Sequence, residues 1–337
     1  MSVTNANAVT NANAVANADA VTAELGPDVA RLLDRHLRTA SEWFPHQYVP
    51  WGRGQDFDGP LGGEAWACSQ SELPAAVRGA LLVNLLTEDN LPSYHHELLT
   101  TYGREEAWRV WIHRWTAEED RHATVLRAYL HTTRGVDPVA LERARIAHLS
   151  TGFAVGYADE PLAALAYVLL QERATRLTHR NTGRASADPV CEQMLRRIAV
   201  DENLHMLFYR DLATAALSAF PDEMMRGLAR AVTEFRMPGH ALRGFNGVAV
   251  KMAFAGIYDL CLHRDQVVMP ILRHLGVFDR TGLGPVGEAA RERLARDVEE
   301  LSQKADAFAE RRAALLESSG RRLLVDGVTH STVLSPE

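Results

Sequence analysis

Cysteine is scarce in this sequence. Three occur among 337 residues, Cys68, Cys191 and Cys261, widely spaced and without a CxxC pair. That argues against a disulfide-stapled scaffold or a zinc ribbon and suits a reducing compartment. Long apolar runs are missing too. The longest, Leu162 to Leu170, falls well short of the ~20 residues that span a bilayer, so no membrane span is expected. An excess of positive charge is likewise absent: the formal net charge is −7, which makes nucleic acid a poor partner. The N-terminal stretch lacks the basic start and continuous apolar run of a secretory signal, and a cytoplasmic location is expected. It carries instead a near-repeat, VTNANA, VTNANA, VANADA. With Val almost its only bulky apolar residue, such a stretch cannot bury enough surface to order itself. Residues 1–24 are therefore expected to form a disordered low-complexity tail.

What the sequence does have is helical periodicity, dominant from about residue 74, with no convincing alternating strand. Long helices are expected over 74–101, 104–132, 161–182, 188–218, 222–236, 247–263 and 284–317, with a short one near 28–40. Gly103, Gly135 with Pro138, Pro161, Pro189 and Pro221 sit at the boundaries, where helix starts and stops place such residues. Between the short helix and the first long one lies "EWFPHQYVPWGRGQDFDGPLGGEAW". Its aromatics read as an ordered loop packed on the helices. No break in composition divides the helical region, so residues 25–318 read as one domain and 319–337 as a loosely ordered tail.

Acids recur inside apolar helices. Glu88 lies in "LLVNLLTEDNL", Glu119 and His122 in "WTAEEDRHATVL", Glu172 in "LAALAYVLLQERAT", and Glu202 and His205 in "RRIAVDENLHMLFY". Glu and His three residues apart share one helical face and can point at one ion. Two helices giving Glu-x-x-His and two more giving one Glu each match the ligand arithmetic of a two-metal carboxylate bundle. Four anionic ligands neutralise two divalent ions, and carboxylate with imidazole suits iron or manganese. With 24 Glu and 14 His in the chain, chance predicts roughly one Glu-x-x-His, so two carry weight through their apolar settings. The competing reading pairs each Glu with a nearby Arg, such as Arg121 or Arg173, on a solvated face. Asp201 and Glu118 are candidates to accept the free N–H of His122 and His205 respectively; two exposed acids would explain them equally.

Several segments resemble the soluble acyl-[acyl-carrier-protein] desaturases, the plastid stearoyl type and especially its actinobacterial relatives. They are "RHLRTASEWFPHQYVPWGRGQDF", "NLLTEDNLPSYHHEL", "WIHRWTAEEDRHATVLRAYL", "QERATRLTHRNTG", "DENLH", "FRMPGH" and "RTGLGPVGEAA". The resemblance runs from about residue 25 to 316. It implies an all-α fold, a ferritin-like four-helix-bundle core with a di-iron site, extended by additional helices. It implies two iron ions held by Glu88, Glu119, His122, Glu172, Glu202 and His205. It also implies O2-dependent insertion of a cis double bond into a saturated acyl chain on acyl carrier protein, with ferredoxin as electron donor and a homodimer as the assembly. Thr175 matches the family threonine beside the oxygen-binding side. Asp201 and Trp43 match an electron path through His122 that ends near a surface tryptophan.

Removing hydrogen from an unactivated methylene needs an oxidant that side chains alone cannot generate, in a site kept dry. Trp111, Trp115, Leu170, Met206 and Phe208 are candidate walls, or plain core. Thr100 and Thr101 fall where the family's substrate cavity passes the metals, and a polar pair on an exposed turn is the competing reading. Arg31, Arg35 and Arg38 form a stripe that could meet an acidic carrier protein or be an ordinary solvated face. The alternative function is a di-iron hydroxylase or oxygenase acting on a carrier-tethered intermediate. Iron storage predicts a shorter four-helix chain, and a radical-generating subunit needs a tyrosine near the metals, for which Tyr167 and Tyr209 are the candidates. A degenerate scaffold without metal is hard to square with six intact ligands.

Overall fold

The computed structural model describes the backbone at residues 3–152, 156, 157 and 160–326, with side chains from residue 18 to 316 within those spans. Helices dominate. They are α1 (Val3–Thr39), α2 (Ala75–Asp89), α3 (Leu91–Tyr102), α4 (Glu106–Thr132), α5 (Pro138–Ser150), α6 (Pro161–Ala185), α7 (Pro189–Ala219), α8 (Pro221–Glu234), α9 (Phe245–Phe254), α10 (Leu260–Leu262), α11 (Met269–His274) and α12 (Pro285–Asp326). A π-helical turn, His263–Val268, joins α10 to α11. Among the described residues there is no strand, only an isolated bridge between Phe57 and Glu64.

Several expected boundaries move. The span 74–101 is two helices because Pro92 follows Asn90 directly after Leu91, and a proline removes a helical donor and constrains the residue before it. Helix α5 was not expected. Asp137 caps it by accepting from Val139 N and Ala140 N, yet only Leu141 along it is fully buried, so its periodicity is faint. The span 247–263 ends early at Phe254 and resumes at Leu260. At the N-terminus α1 starts at Val3, and packed structure begins before residue 25: Val21 and Thr22 are buried, and Trp108 donates to the Thr22 carbonyl at 3.1 Å. The expected tail is corrected to that extent. At the other end α12 continues to Asp326, so residues 319–326 extend a helix; 327–337 lie outside the described residues.

The aromatic loop between α1 and α2 packs on the helices as its composition implies. Arg134, buried, reaches into it, donating to the carbonyls of Asp56 and Glu64 and to Gln70. Trp66 donates back to the Arg134 carbonyl.

Buried apolar residues fall into two clusters that meet inside α4 and α7. The first half of α4 (Trp108, Trp111, Ile112, Trp115) and the second half of α7 (Met206, Phe208, Tyr209, Leu212) belong to one cluster, with most of α6 and α8. The second half of α4 (Val125, Leu126, Tyr129, Leu130) and the first half of α7 (Cys191, Met194, Leu195, Ile198) belong to the other, with α2 and Trp43. The two helices therefore run antiparallel, and a polar layer lies where one cluster gives way to the other. Helix α8 is drawn tightly onto α6 at Gly227. A Cβ there would stand 2.9 Å from the backbone of Leu162 and Ala163, closer than any side chain allows.

Candidate metal centre

The polar layer is made by residues from four helices. Glu88 comes from α2, Glu119 and His122 from α4, Glu172 from α6, and Glu202 and His205 from α7. All six side chains are buried; Glu88 is the most exposed at 8% and His122, Glu172 and His205 are fully enclosed. Their ligand atoms fall into two quartets, each with all members within 4.8 Å of one another: Glu88, Glu119, His122 and Glu202, and Glu119, Glu172, Glu202 and His205. Glu119 and Glu202 belong to both. Nδ1 of His122 lies 3.0 Å from Glu119, 3.6 Å from Glu202 and 3.9 Å from Glu88. Nδ1 of His205 lies 2.8 Å from Glu119 and 3.6 Å from Glu172. All six residues singled out in the sequence are thus brought together.

Each histidine turns its other nitrogen to an acid on the opposite helix. Nε2 of His205 meets Glu118 Oε2 at 2.9 Å, and Nε2 of His122 faces Asp201 Oδ2 at 3.5 Å. Because Glu118 precedes Glu119 and Asp201 precedes Glu202, each motif braces the other's histidine, as suits metal-ligating imidazoles. Asp201 in turn accepts from Trp43 Nε1 at 2.7 Å and from Arg121 at 3.2 Å, and pairs with Arg197. Glu118 accepts from His36 Nε2 at 2.9 Å and from Arg114 at 2.6 Å. Trp43 is not at the surface: it is 3% exposed, beneath the guanidiniums of Arg121 and Arg197. The expectation of a surface tryptophan at this position is corrected.

Electrostatics follow from burial and crowding. Burial pushes the Glu88 carboxyl up to about 7, assisted by repulsion from Glu119 and Glu202 and opposed by His179 and His122. Burial also drives Glu172 well above the usual carboxylate range. It would raise Glu119 as well, but His122 and His205 together outweigh it and hold Glu119 low. Both histidines are raised well above their ordinary value, the surrounding carboxylates overcoming desolvation.

The donor set fits metal ions. Glu119 Oε1, Glu172 Oε2 and His205 Nδ1 are buried without a hydrogen-bond partner, although His205 Nδ1 and Glu119 Oε1 approach to 2.8 Å. Buried polar atoms left in this state are rare and point to a missing partner. Convergent carboxylate oxygens and imidazole nitrogens around two foci are what two divalent cations require.

Two histidines absent from the sequence reading join the site. His179, buried, has Nε2 3.2 Å from Glu88 and 3.5 Å from Glu202, and Asn84 contacts its other nitrogen. Its signal was available, since Glu172, Thr175 and His179 follow the helical i, i+3, i+7 face. His36, 82 positions from Glu118, had no local signal. Trp115, read as a wall or core, also donates to Glu172 Oε1 at 3.1 Å. Thr175 donates to Glu202 Oε2 at 2.9 Å. Trp111, Leu170, Met206 and Phe208 are buried as expected. Of the threonine pair, Thr100 is exposed and Thr101 half-buried, and neither lines the pocket beside Glu88. That small pocket, about 50 Å³, is bounded by Glu88, Thr175, His179, Met237, Met252 and Tyr258. The arginine stripe on α1 is neutralised: Arg31 pairs with Asp28, Arg35 with Asp211 and Arg38 with Asp34.

Comparison with known proteins identifies the family. The family described as "Fatty acid desaturase" matches residues 17–322. The Mycobacterium tuberculosis protein named "Putative acyl-[acyl-carrier-protein] desaturase DesA1" is 42% identical over 292 residues, covering 85% of this chain and 86% of that one. The Arabidopsis thaliana "Stearoyl-[acyl-carrier-protein] 9-desaturase 6, chloroplastic" is 32% identical over 183 residues, 51% of this chain and 47% of that one. The solved structure of DesA2 from M. tuberculosis H37Rv superposes with a TM-score of 0.64 at 32% identity, covering 76% of this chain and 95% of that chain. The fold is accordingly helical and ferritin-like, and no described helix is long and apolar enough to cross a membrane. With its family matched over nearly the whole chain, this protein belongs to the fatty acid desaturase family, among the acyl-[acyl-carrier-protein] desaturases.

Proposed function

We propose that the chain is an iron-dependent acyl-[acyl-carrier-protein] desaturase that introduces a cis double bond into a saturated acyl chain. The observation that carries this reading is the pair of buried quartets sharing Glu119 and Glu202, beside a pocket that reaches Glu88 and Thr175. Glu88 and His122 would hold one ion and Glu172 and His205 the other, with Glu119 and Glu202 between them. When bound, two iron ions supply the redox chemistry that reduces O2 and oxidises an unactivated methylene pair. The balance is closed: the acyl chain gives up two hydrogens, ferredoxin supplies two electrons, two protons enter from solvent, and O2 leaves as two waters.

The protein's own residues do the rest. Met237, Met252 and Tyr258 exclude water from the pocket, which strengthens every polar interaction inside and protects the oxidant. The Thr175 hydroxyl holds a proton at Glu202 Oε2 and faces the pocket. Asp201 fixes the orientation of His122 and links it to Trp43, and that contiguous row is the route by which electrons enter. Acyl carrier protein delivers the substrate, a second copy completes a homodimer, and the location is cytoplasmic.

The test is incubation of iron-loaded protein with ferredoxin, its reductase, NADPH, O2 and a series of saturated acyl carrier proteins, followed by mass spectrometry of the released chains. A loss of two hydrogens that disappears in Glu119→Ala is expected. A gain of one oxygen would instead make the protein a hydroxylase, and no change with any chain would sink the reading.

A further inference from the structure

Three of the six tryptophans, Trp108, Trp111 and Trp115, follow one another along α4. Their spacings of three and four residues put them on one face of the helix. All three are buried, and each indole N–H has its own acceptor. Trp115 donates to the candidate ligand Glu172, Trp111 to the Tyr209 hydroxyl and Trp108 to the Thr22 carbonyl, each at 3.1 Å. The stripe therefore starts in contact with the metal centre and ends in the first turn of α4, beside the exposed residues 104–106. Neighbouring rings flank it. Trp111 lies 6.1 Å from His205 and 5.8 Å from Tyr209 between centroids, and Trp108 stacks on Tyr102 at 4.5 Å.

Packing alone does not ask for indole here, since leucine or phenylalanine fills such space without a polar atom to satisfy. What indole adds is the ability to give up one electron without first losing a proton. Phenol lacks it, and the two tyrosines have no base to receive theirs: Tyr209 accepts the Trp111 N–H, and Tyr102 donates to the Pro161 carbonyl. A positive hole on this stripe therefore rests on indole. Its charge is tolerated, because among the described residues no guanidinium lies over these five rings, while Glu172 sits against Trp115. Trp43 is the opposite case. It lies beneath Arg121 and Arg197, whose charges repel a hole.

We propose that the α4 tryptophans form an escape route for oxidising equivalents, used when O2 is activated with no acyl chain in place. The hole passes from Trp115 through Trp111 to Trp108, where a low-molecular-weight thiol from solvent refills it. This rests on the desaturase reading above. Atoms and electrons balance. The two hydrogens that the acyl chain would have given come from two thiols, as two electrons and two protons. The thiols leave joined as one disulfide, ferredoxin supplies the other two electrons, and O2 still leaves as two waters.

The test mixes iron-loaded, reduced protein with O2 in the absence of acyl substrate. Samples are freeze-quenched for electron paramagnetic resonance and digested for mass spectrometry. A tryptophanyl radical is expected, with added oxygen on Trp108 and Trp111 and none on Trp43, and glutathione should suppress both. Trp111→Phe keeps a ring against Phe208 but interrupts the route. In that variant the marks should shift to Trp115 and His205, and glutathione should no longer protect. In Trp108→Phe the marks should stop at Trp111, while metal content and turnover of stearoyl-acyl carrier protein stay unchanged. A tyrosyl radical, marks on Trp43 in place of the stripe, or protection that survives Trp111→Phe overturns the inference. So does O2 consumption that leaves neither radical nor mark. Turnover of a series of acyl carrier proteins is measured alongside. Desaturated product with an unmarked stripe removes the escape route and leaves the desaturase reading standing. A marked stripe with no product from any chain sinks the desaturase reading instead, and a loaded protein that consumes no O2 with any chain sinks both.

Discussion

Glu118-Glu119-x-x-His122 on α4 and Asp201-Glu202-x-x-His205 on α7 face each other across the centre with opposite chain direction. Each gives one shared carboxylate and one histidine to the quartets, and each uses its leading acid to brace the other's histidine. Their surroundings differ. Behind His122, Asp201 is gripped by Trp43, Arg121 and Arg197, so the row ends in an indole under two cations. Behind His205, Glu118 is gripped by His36 and Arg114, and His36 packs edge-on against Trp111 in the core. Glu202 has Thr175 and His179 beside it; Glu119 has neither. Ligand symmetry is thus a product of local spacing repeated on two helices, and functional polarity is what distant parts of the chain add to it.

The largest expected effect comes from breaking what the halves share. Glu119→Ala or Glu202→Ala removes a ligand from both quartets and should leave less than one ion per chain, with turnover down by at least about 10³-fold. Glu88→Ala or Glu172→Ala touches one quartet and should leave about one ion per chain. Plasma mass spectrometry of the purified variants decides, and equal losses in all four would contradict the two-quartet arrangement.

A buried histidine outside the polar layer sharpens the contrast with His122 and His205. Burial holds His263 down at about 4, while Tyr258 and Phe235 contact its ring. The unfolded chain, with a histidine near 6.5, binds the proton that the fold refuses. Stability should therefore fall as pH drops from about 6.5 toward 4, by on the order of 3 kcal/mol. Denaturant titrations across that window should show the slope in the parent protein and a flatter profile in His263→Gln.

Smaller effects separate the two outer rows. Asp201→Asn and Glu118→Gln should each weaken metal binding by about 10- to 100-fold. Stopped-flow reduction of the metal-loaded variants by reduced ferredoxin should be slowed more by Asp201→Asn, since Trp43 lies on that row; equal slowing would remove the row's special role. Smallest is Thr175→Val, which deletes one hydroxyl from Glu202. Metal content should hold, and turnover should fall by about fivefold, the worth of one hydrogen bond.

The two Glu-x-x-His pairs of the candidate centre were legible because the pattern is local, and a three-residue spacing lands on one face in any helix. Thr175 and Asp201 were legible through their adjacency to ligands and the family resemblance. His36 was not, because only the fold carries α1 across Glu118. His179 had a helical signal that a search for acids passed over. The break at Asn90 was hidden by an apolar pattern that continues through Pro92, and α5 by the exposure of Val139 and Ile146. The arginines of α1 read either as a stripe facing a partner or as a solvated face; Arg31 and Arg38 pair with Asp28 and Asp34 within the helix, and only the fold brings Asp211 to Arg35.

The polar layer between the two apolar clusters has a consequence for the lifetime of the protein. Carboxylates and imidazoles enclosed at one level carry a desolvation cost that bound cations would offset, so the waist of the bundle would lose stability when metal is scarce. Ions that bind only the folded chain stabilise it by about 4 kcal/mol when their free concentration is a thousand times the dissociation constant. A metal-starved cell would then present this chain to its proteases as a partly opened substrate, and pulse-chase decay with and without a chelator measures the difference. The abundance of the protein would then track the supply of the metal it binds through quality control.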